Sequence, residues 1–364
     1  MNFTQSKYLK LAAIAAALMA AGAAQAGPTP QTGNTSDPSN WRFTPGMAFN
    51  GVAGALDGVA KLSFTTSEGN FACSGSLLAG GQYVVTAAHC ADDFSKMTVQ
   101  FGYANGRAAV TRNVSVGNAI VHKAWTGALD TGADIAILKL DSVVTGIKGY
   151  KLSTTNDVGK DFLMAGYGTT NRADVNSPTN WNDAAWGHYG YNTFDVISQE
   201  FNAAYYPAAG YGPDDPSYYA PGATYMSDFD NGSAALNTIG RIGDAIGGAW
   251  TSGTGLGTIE SLIAGGDSGG GDFVWNGSEW LLSGVHSWGW GGDSACADLG
   301  LSGCDNAPKN GSSYGDLSGS TAIYSHVAWI NAVTAVPEPE TYAMLLAGLA
   351  MVGVARRRKL TSQA

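Results

Sequence analysis

Almost every apolar run in this chain is only strand-long and is closed by glycine, asparagine or aspartate, a punctuation that leaves little room for a helical fold. Residues 74–78, 83–86, 97–101, 135–140, 162–165, 273–275 and 280–285 are such runs. Gly80-Gly81 and Asn276-Gly277 stand between neighbouring runs, where a hairpin turn calls for positive φ. Helical periodicity is confined to residues 327–333, a short segment suited to closing the chain. With 51 glycines, ten tryptophans, sixteen tyrosines and only 13% charged residues, the composition agrees with an all-β body, a barrel or a sandwich. Residues 171–257 differ. They are rich in Tyr, Trp, Asn, Gly and Pro, hold few aliphatic runs, and read as long surface loops with a hairpin or two.

The two ends carry another signature. Lys7 and Lys10 precede an apolar run over residues 11–23 and then Ala24-Gln25-Ala26, the positive start, apolar core and small-residue cleavage site of a secretory signal. Residues 1–26 are therefore expected to be removed, with the polar stretch 27–50 as a lead-in or propeptide. At the far end, Val336-Pro337-Glu338-Pro339-Glu340 is followed by a 14-residue apolar run, 342–355, and by Arg356-Arg357-Arg358-Lys359. The run is shorter than the roughly 20 residues of a spanning helix, but the basic cluster behind it is of the kind that halts a segment in a membrane. These three parts resemble the PEP-CTERM sorting signal of Gram-negative bacteria. The resemblance implies exosortase-type sorting machinery as a partner and transient membrane contact through residues 336–364. It also implies a mature body exported via the periplasm to the cell surface or the medium. The formal net charge is −10, and the body without its basic ends is more acidic still, so a nucleic-acid partner is disfavoured.

Three motifs carry chemistry. Thr86-Ala87-Ala88-His89-Cys90 closes one strand-like run, Asp134-Ile135-Ala136-Ile137-Leu138 opens another, and Gly266-Asp267-Ser268-Gly269-Gly270 lies in a loop. A serine hydroxyl is a weak nucleophile until an imidazole takes its proton. That imidazole needs a carboxylate on its second nitrogen to fix the tautomer. Glycines beside the serine let backbone N–H groups turn toward a developing oxyanion. In this order, with the first two residues 45 apart, His89, Asp134 and Ser268 resemble the trypsin/chymotrypsin family over about residues 51–332. Ser287-Trp288-Gly289 and Gly166-Tyr167-Gly168 resemble two further landmarks of that family.

The resemblance implies two antiparallel β-barrels over residues 51–335 with the active site in the cleft between them, and a short C-terminal helix. It implies hydrolysis of a protein or peptide substrate with no cofactor. His89 is expected as the base, Asp134 as its orienting acid and Ser268 as the nucleophile. Gly266 and Ser268 are expected to supply oxyanion N–H groups, and Asp267 to order their loop. Ser287, Trp288 and Gly289 would line the substrate, Leu262 would lie near the pocket floor, and Gly289 and Ala322 near its walls. With no acid there, a small or medium apolar side chain is favoured over Arg or Lys. Asp130 lacks the strand that follows Asp134 and reads as an exposed loop acid.

Four cysteines allow three pairings. The family joins the positions matching Cys73 and Cys90, which leaves Cys296 with Cys304, and export permits both bonds. No further ligands are spaced to build zinc around them, so no metal is expected. Asp228-Phe229-Asp230-Asn231-Gly232 reads as a turn more readily than as a calcium loop, since it lacks the terminal bidentate Glu. The chain departs from the family in three places. An Ile-Val-Gly-Gly start is missing, Gly271 replaces the usual Pro, and Ala264 stands near the place of a pocket cysteine. Two rivals remain open. Gly266-x-Ser268-x-Gly270 also fits an esterase elbow, which would draw on His286 or His326, and a non-catalytic peptide-binding module could keep the fold.

Overall fold

The computed structural model describes residues 37–170, 173–174, 183–211, 223–309 and 311–335. The expected signal peptide, 1–26, and sorting segment, 336–364, lie outside the described residues. After three short strands, β1 (Arg42–Phe43), β2 (Ala48–Phe49) and β3 (Val52–Ala53), come β4 (Val59–Thr66), β5 (Gly69–Leu77), β6 (Tyr83–Thr86), β7 (Lys96–Phe101), β8 (Val110–Val114), β9 (Ala119–Val121) and β10 (Ala136–Lys139). The last seven form one antiparallel sheet in the order β8-β7-β4-β5-β6-β10-β9. Strand β7 shows why these residues pair: Met97, Val99 and Phe101 point inward between outward Lys96, Thr98 and Gln100, the period of a pleated strand. Its register on β4 sets Val99 against Leu62 and Met97 against Phe64.

The second sheet uses β11 (Lys151–Leu152), β12 (Asp161–Gly166), β13 (Gly187–Thr193), β14 (Val196–Ile197), β15 (Thr224–Asp228), β16 (Gly271–Trp275), β17 (Trp280–Trp290) and β18 (Leu317–Ala322). Its order is β1-β13-β12-β16-β17-β18-β15-β14, with β11 parallel to β17. The Asn276-Gly277 turn joins β16 to β17 as expected. Asn276 Oδ1 accepts the N–H groups of Ser278 and Glu279, and Gly277 sits at φ +96°. The two sheets are those of a two-barrel fold.

The described residues within 171–257 are not the surface loops expected of them. They hold strands β13 to β15 and two helices, α1 (Ser198–Ala208) and α2 (Thr238–Ile246). Helix α1 buries Phe201, Tyr205 and Tyr206 in a core with Met226, Ile239, Ile242, Trp288 and the cystine of Cys296 and Cys304. The segment lacks aliphatic runs because its core is aromatic, and rings bury as much surface as branched chains do. Helix α2 is capped by Asn237, whose Oδ1 accepts from Gly240 N at 2.7 Å, and ends on left-handed Gly247. A short helix α3 (Gly292–Ala297) carries Cys296. The chain divides into two compact units between Val327 and Ala328. In the second unit the described residues, 328–335, continue helix α4 (Val327–Thr334), the expected C-terminal helix. Among the described residues no helix is long and apolar enough to cross a membrane.

Candidate active site

Antiparallel pairing of β6 with β10 sets Thr86 beside Ala136. His89 follows Thr86 by three residues and Asp134 precedes Ala136 by two, so one register brings both to the same end of the sheet. His89 sits in a 3-10 turn, Ala88–Cys90, pinned from behind by the Cys73–Cys90 disulfide, whose Cα atoms are 6.3 Å apart. Asp134 is fully buried. Its Oδ1 accepts from His89 N at 3.0 Å, and its Oδ2 bonds His89 Nδ1 at 2.8 Å and the Ser287 hydroxyl at 2.5 Å. Burial lowers the His89 pKa, but the Asp134 charge and hydrogen bond, with Asp92 beyond, outweigh it, so the imidazole lies above its ordinary value of 6.5. With Nδ1–H on Asp134, the neutral ring leaves Nε2 as an acceptor.

Ser268 lies across this turn. Its carbonyl accepts from Ser74 N at 2.8 Å and lies 3.6 Å from the disulfide sulfur Cys90 Sγ. A Cβ on Gly269 would come 2.0 Å from Thr86 Oγ1 and 2.8 Å from Ala87 N, a close approach that only glycine, at φ +79°, allows. The Ser268 hydroxyl makes no hydrogen bond among the described residues, to His89 or to another group. Contacts of this kind commonly tighten only when a substrate is bound. Within residues 266–270, the N–H groups of Asp267, Gly269 and Gly270 go to the carbonyls of Ala264, His286 and Asp267. Among the described residues the N–H groups of Gly266 and Ser268 have no acceptor. Asp267 is buried and accepts from Gly168 N at 2.7 Å and Ala264 N at 3.0 Å. Burial lifts its carboxyl to about 7, against the pull of His286 and of those two donors.

The other expected residues fall into place unevenly. Ser287 is nearly buried, with its hydroxyl on Asp134 rather than on the cleft. Trp288 lays its ring over Gly319, where an added Cβ would meet the indole at 2.1 Å. Leu262 is 1% exposed and packs with Ala173, Phe229 and Tyr314, and Ala322 lies in a core with Phe162, Phe194 and Val274. The β17–β18 register sets Gly319 and Ser318, not Ala322, beside Trp288 and Gly289. Asp130 is not a free loop acid: it is half-buried and accepts from Asn202 Nδ2 at 2.9 Å. Thr321, which no motif announced, donates its hydroxyl to the Asp134 carbonyl at 3.0 Å. His326 Nε2 bonds Gly132 O, and His286 bonds Asp272, so neither partners the Ser268 hydroxyl.

The second disulfide joins Cys296 to Cys304. Among the described residues three potential metal ligands converge only at Cys73, His89 and Cys90. Both sulfurs are held in the disulfide and offer no thiolate. Asp228 and Asp230 are buried with Asp195 and Glu260, with Ile239 N on Asp228 Oδ2 at 2.8 Å and Asp230 N on Glu260 Oε1 at 2.6 Å. Burial outweighs these donors and lifts the Glu260 carboxyl to about 8 and that of Asp230 to about 10.

Comparison with known families bears on this geometry. Residues 50–207 match the family model for trypsin, and residues 335–359 match the PEP-CTERM protein-sorting motif. The trypsin match takes in His89 and Asp134 and ends before Ser268. That match supports a serine peptidase, and the sorting motif indicates export. No curated protein matches the chain. Among solved structures it is similar to HL collagenase, at 18% identity over 81% of this chain and 97% of the other, with a TM-score of 0.49. It is also similar to the protease Anisep from Arthrobacter nicotinovorans, at 16% identity over 81% and 99%, with a TM-score of 0.45.

Proposed function

We propose that the protein is an exported serine endopeptidase that cleaves peptide bonds through an acyl-enzyme. The observation that carries this reading is the His89–Asp134 pair with Ser268 beside it, flanked by the open N–H groups of Gly266 and Ser268. Ser268 Oγ attacks the substrate carbonyl carbon while His89 Nε2 takes its proton. The carbonyl oxygen, now anionic, is held by the Gly266 and Ser268 N–H groups. The C–N bond breaks as His89 returns the proton to the leaving amine, and water then repeats the sequence on the ester, restoring Ser268. Asp134 holds the His89 tautomer and stabilises the imidazolium, while Ser287 and the His89 N–H hold the carboxyl group in place.

The domain reading is a signal at 1–26, a lead-in at 27–50 whose strand β1 pairs with β13 of the body, the protease body at 51–335 and a sorting segment at 336–364 that engages exosortase-type machinery. Export leaves the body outside the cytoplasmic membrane of a Gram-negative cell. Gly289, Ser318 and Gly319, beside Trp288 on β17 and β18, offer no charge to a substrate side chain, so a small or medium apolar residue at the cleaved position suits the site. The test is pre-steady-state hydrolysis of an apolar peptide nitrophenyl ester alongside the matching peptide amide. An initial burst equal to the enzyme concentration, with cleavage of the amide as well, is expected. Ester turnover without any amide cleavage would make the protein an esterase instead.

A further inference from the structure

Behind the Ser268 loop lies a buried ionisable pair that the proposed reaction does not use. His286 and Asp272 are both fully buried, on neighbouring strands β17 and β16, with His286 Nε2 and Asp272 Oδ1 2.8 Å apart. The other face of the ring, Nδ1, lies 3.2 Å from the Asp267 carbonyl oxygen. The backbone of His286 also serves the loop: its carbonyl accepts from Gly269 N at 2.8 Å and its N–H donates to Gly270 O at 2.9 Å. Two glycines make room for the pair. A Cβ on Gly270 would stand 2.7 Å from His286 Nδ1, and one on Gly284 would stand 2.3 Å from Asp272 Oδ2. Among the described residues Asp272 Oδ2 has no hydrogen-bond partner. Both ring nitrogens face oxygens, the Asp272 carboxyl and the Asp267 carbonyl, and a charged ring donates to both. The Asp272 and Asp267 charges together hold the His286 pKa above 6.5 against burial.

The Asp267 carbonyl and the Ser268 N–H belong to one peptide unit. Because that unit is planar and trans, fixing the carbonyl backward points the N–H forward. A charge-assisted bond to the carbonyl also polarises the unit and strengthens the N–H as a donor. The second open donor is set in the same way without a charge: the Gly265 carbonyl, in the peptide unit of Gly266 N–H, accepts from Thr169 N at 3.0 Å.

We propose that His286, charged by Asp272, is a positioning residue that aims and polarises the Ser268 N–H for the oxyanion. The inference rests on the proposed serine-peptidase reading. Its test uses the full exported chain and three variants: Asp272→Asn, Asp272→Asn with His286→Leu, and Asp272→Asn with His286→Asn. The asparagine side chain places an N–H where His286 Nδ1 stands, so the last variant restores the bond to Asp267 without the charge. Removing one oxyanion donor costs about 10²–10³ in kcat. The leucine variant leaves the Asp267 carbonyl to Gly270 N alone, at 2.7 Å, and is expected to lose about 10²-fold in kcat, the lower end of that range, with KM within about threefold. The asparagine double variant should recover at least about tenfold of that loss. Affinity for a peptide boronate, whose tetrahedral oxygen fills the same place, should fall in parallel with kcat. Folded variants with wild-type kcat, or a double asparagine variant no better than the leucine one, would overturn the proposal. If the leucine variant does not fold, Asp272→Asn decides, with about a tenfold fall in kcat expected and an unchanged kcat overturning the proposal. Wild-type turnover that is lost in Ser268→Ala keeps the reading of function even where this inference fails. A wild-type chain that turns over nothing sinks both.

Discussion

Asp134 sits in full burial with three donors aimed at two oxygens, and its chemistry depends on all of them. Asp134→Asn keeps the shape but lets the amide favour the wrong His89 tautomer, and kcat is expected to fall about 10⁴-fold with the fold intact. Ser287→Ala removes one hydrogen bond to a buried charge, worth about 1.5–3 kcal/mol, so kcat/KM should drop between about 10- and 100-fold. His89 must be neutral to accept a proton, and its folded pKa is raised, so activity should climb with pH through a midpoint above 6.5. A kcat/KM profile flat between about pH 5 and 8 would contradict His89 as the base. At this scale the sequence was readable where a motif is local. The contexts of His89, Asp134 and Ser268 are five-residue patterns, each at the end of a strand or in a glycine loop. The bonds of Ser287 and Thr321 to Asp134 span 153 and 187 positions, and no local pattern signals them.

Helix α1 is the element furthest from its reading. Phe201 and Tyr205 stand four residues apart and face one core, a helical spacing that was masked by the polar and glycine-rich residues around them. Tyr205→Ala would empty a fully buried ring and free the Ala295 carbonyl that its hydroxyl now satisfies at 2.8 Å, costing about 3–5 kcal/mol. Protease nicking within 198–208, resisted by the wild type, should then appear. The Ser268 loop is constrained differently. Gly269→Ala would force a Cβ into Thr86 Oγ1 and the Ser74 carbonyl at a positive φ, so the free energy of unfolding should fall by about 1–3 kcal/mol and turnover should be lost with it. Strands were legible where apolar and polar residues alternate, as in β7, and where Asn276-Gly277 or Gly80-Gly81 mark a turn. Their register was not, and register is what moves Ala322 into the core and brings Gly319 to Trp288.

For the whole molecule, two disulfides and an export signature belong together, because both bonds need an oxidising compartment. Closing the 17-residue separation of Cys73 and Cys90 contributes about 3 kcal/mol in the chain-entropy model. A Cys73→Ala and Cys90→Ser chain should therefore unfold at distinctly lower denaturant concentration and lose activity, since that bond holds the His89 turn against the Ser268 carbonyl. The account stands or falls on whether Ser268 is an activated nucleophile. The direct measurement is fluorophosphonate labelling of the exported chain, with the adduct mapped by mass spectrometry in the wild type, His89→Ala and Ser268→Ala. The account predicts a single adduct on Ser268 that vanishes in both variants. A folded, disulfide-bonded wild type that takes no label, or one that labels equally well without His89, would contradict it.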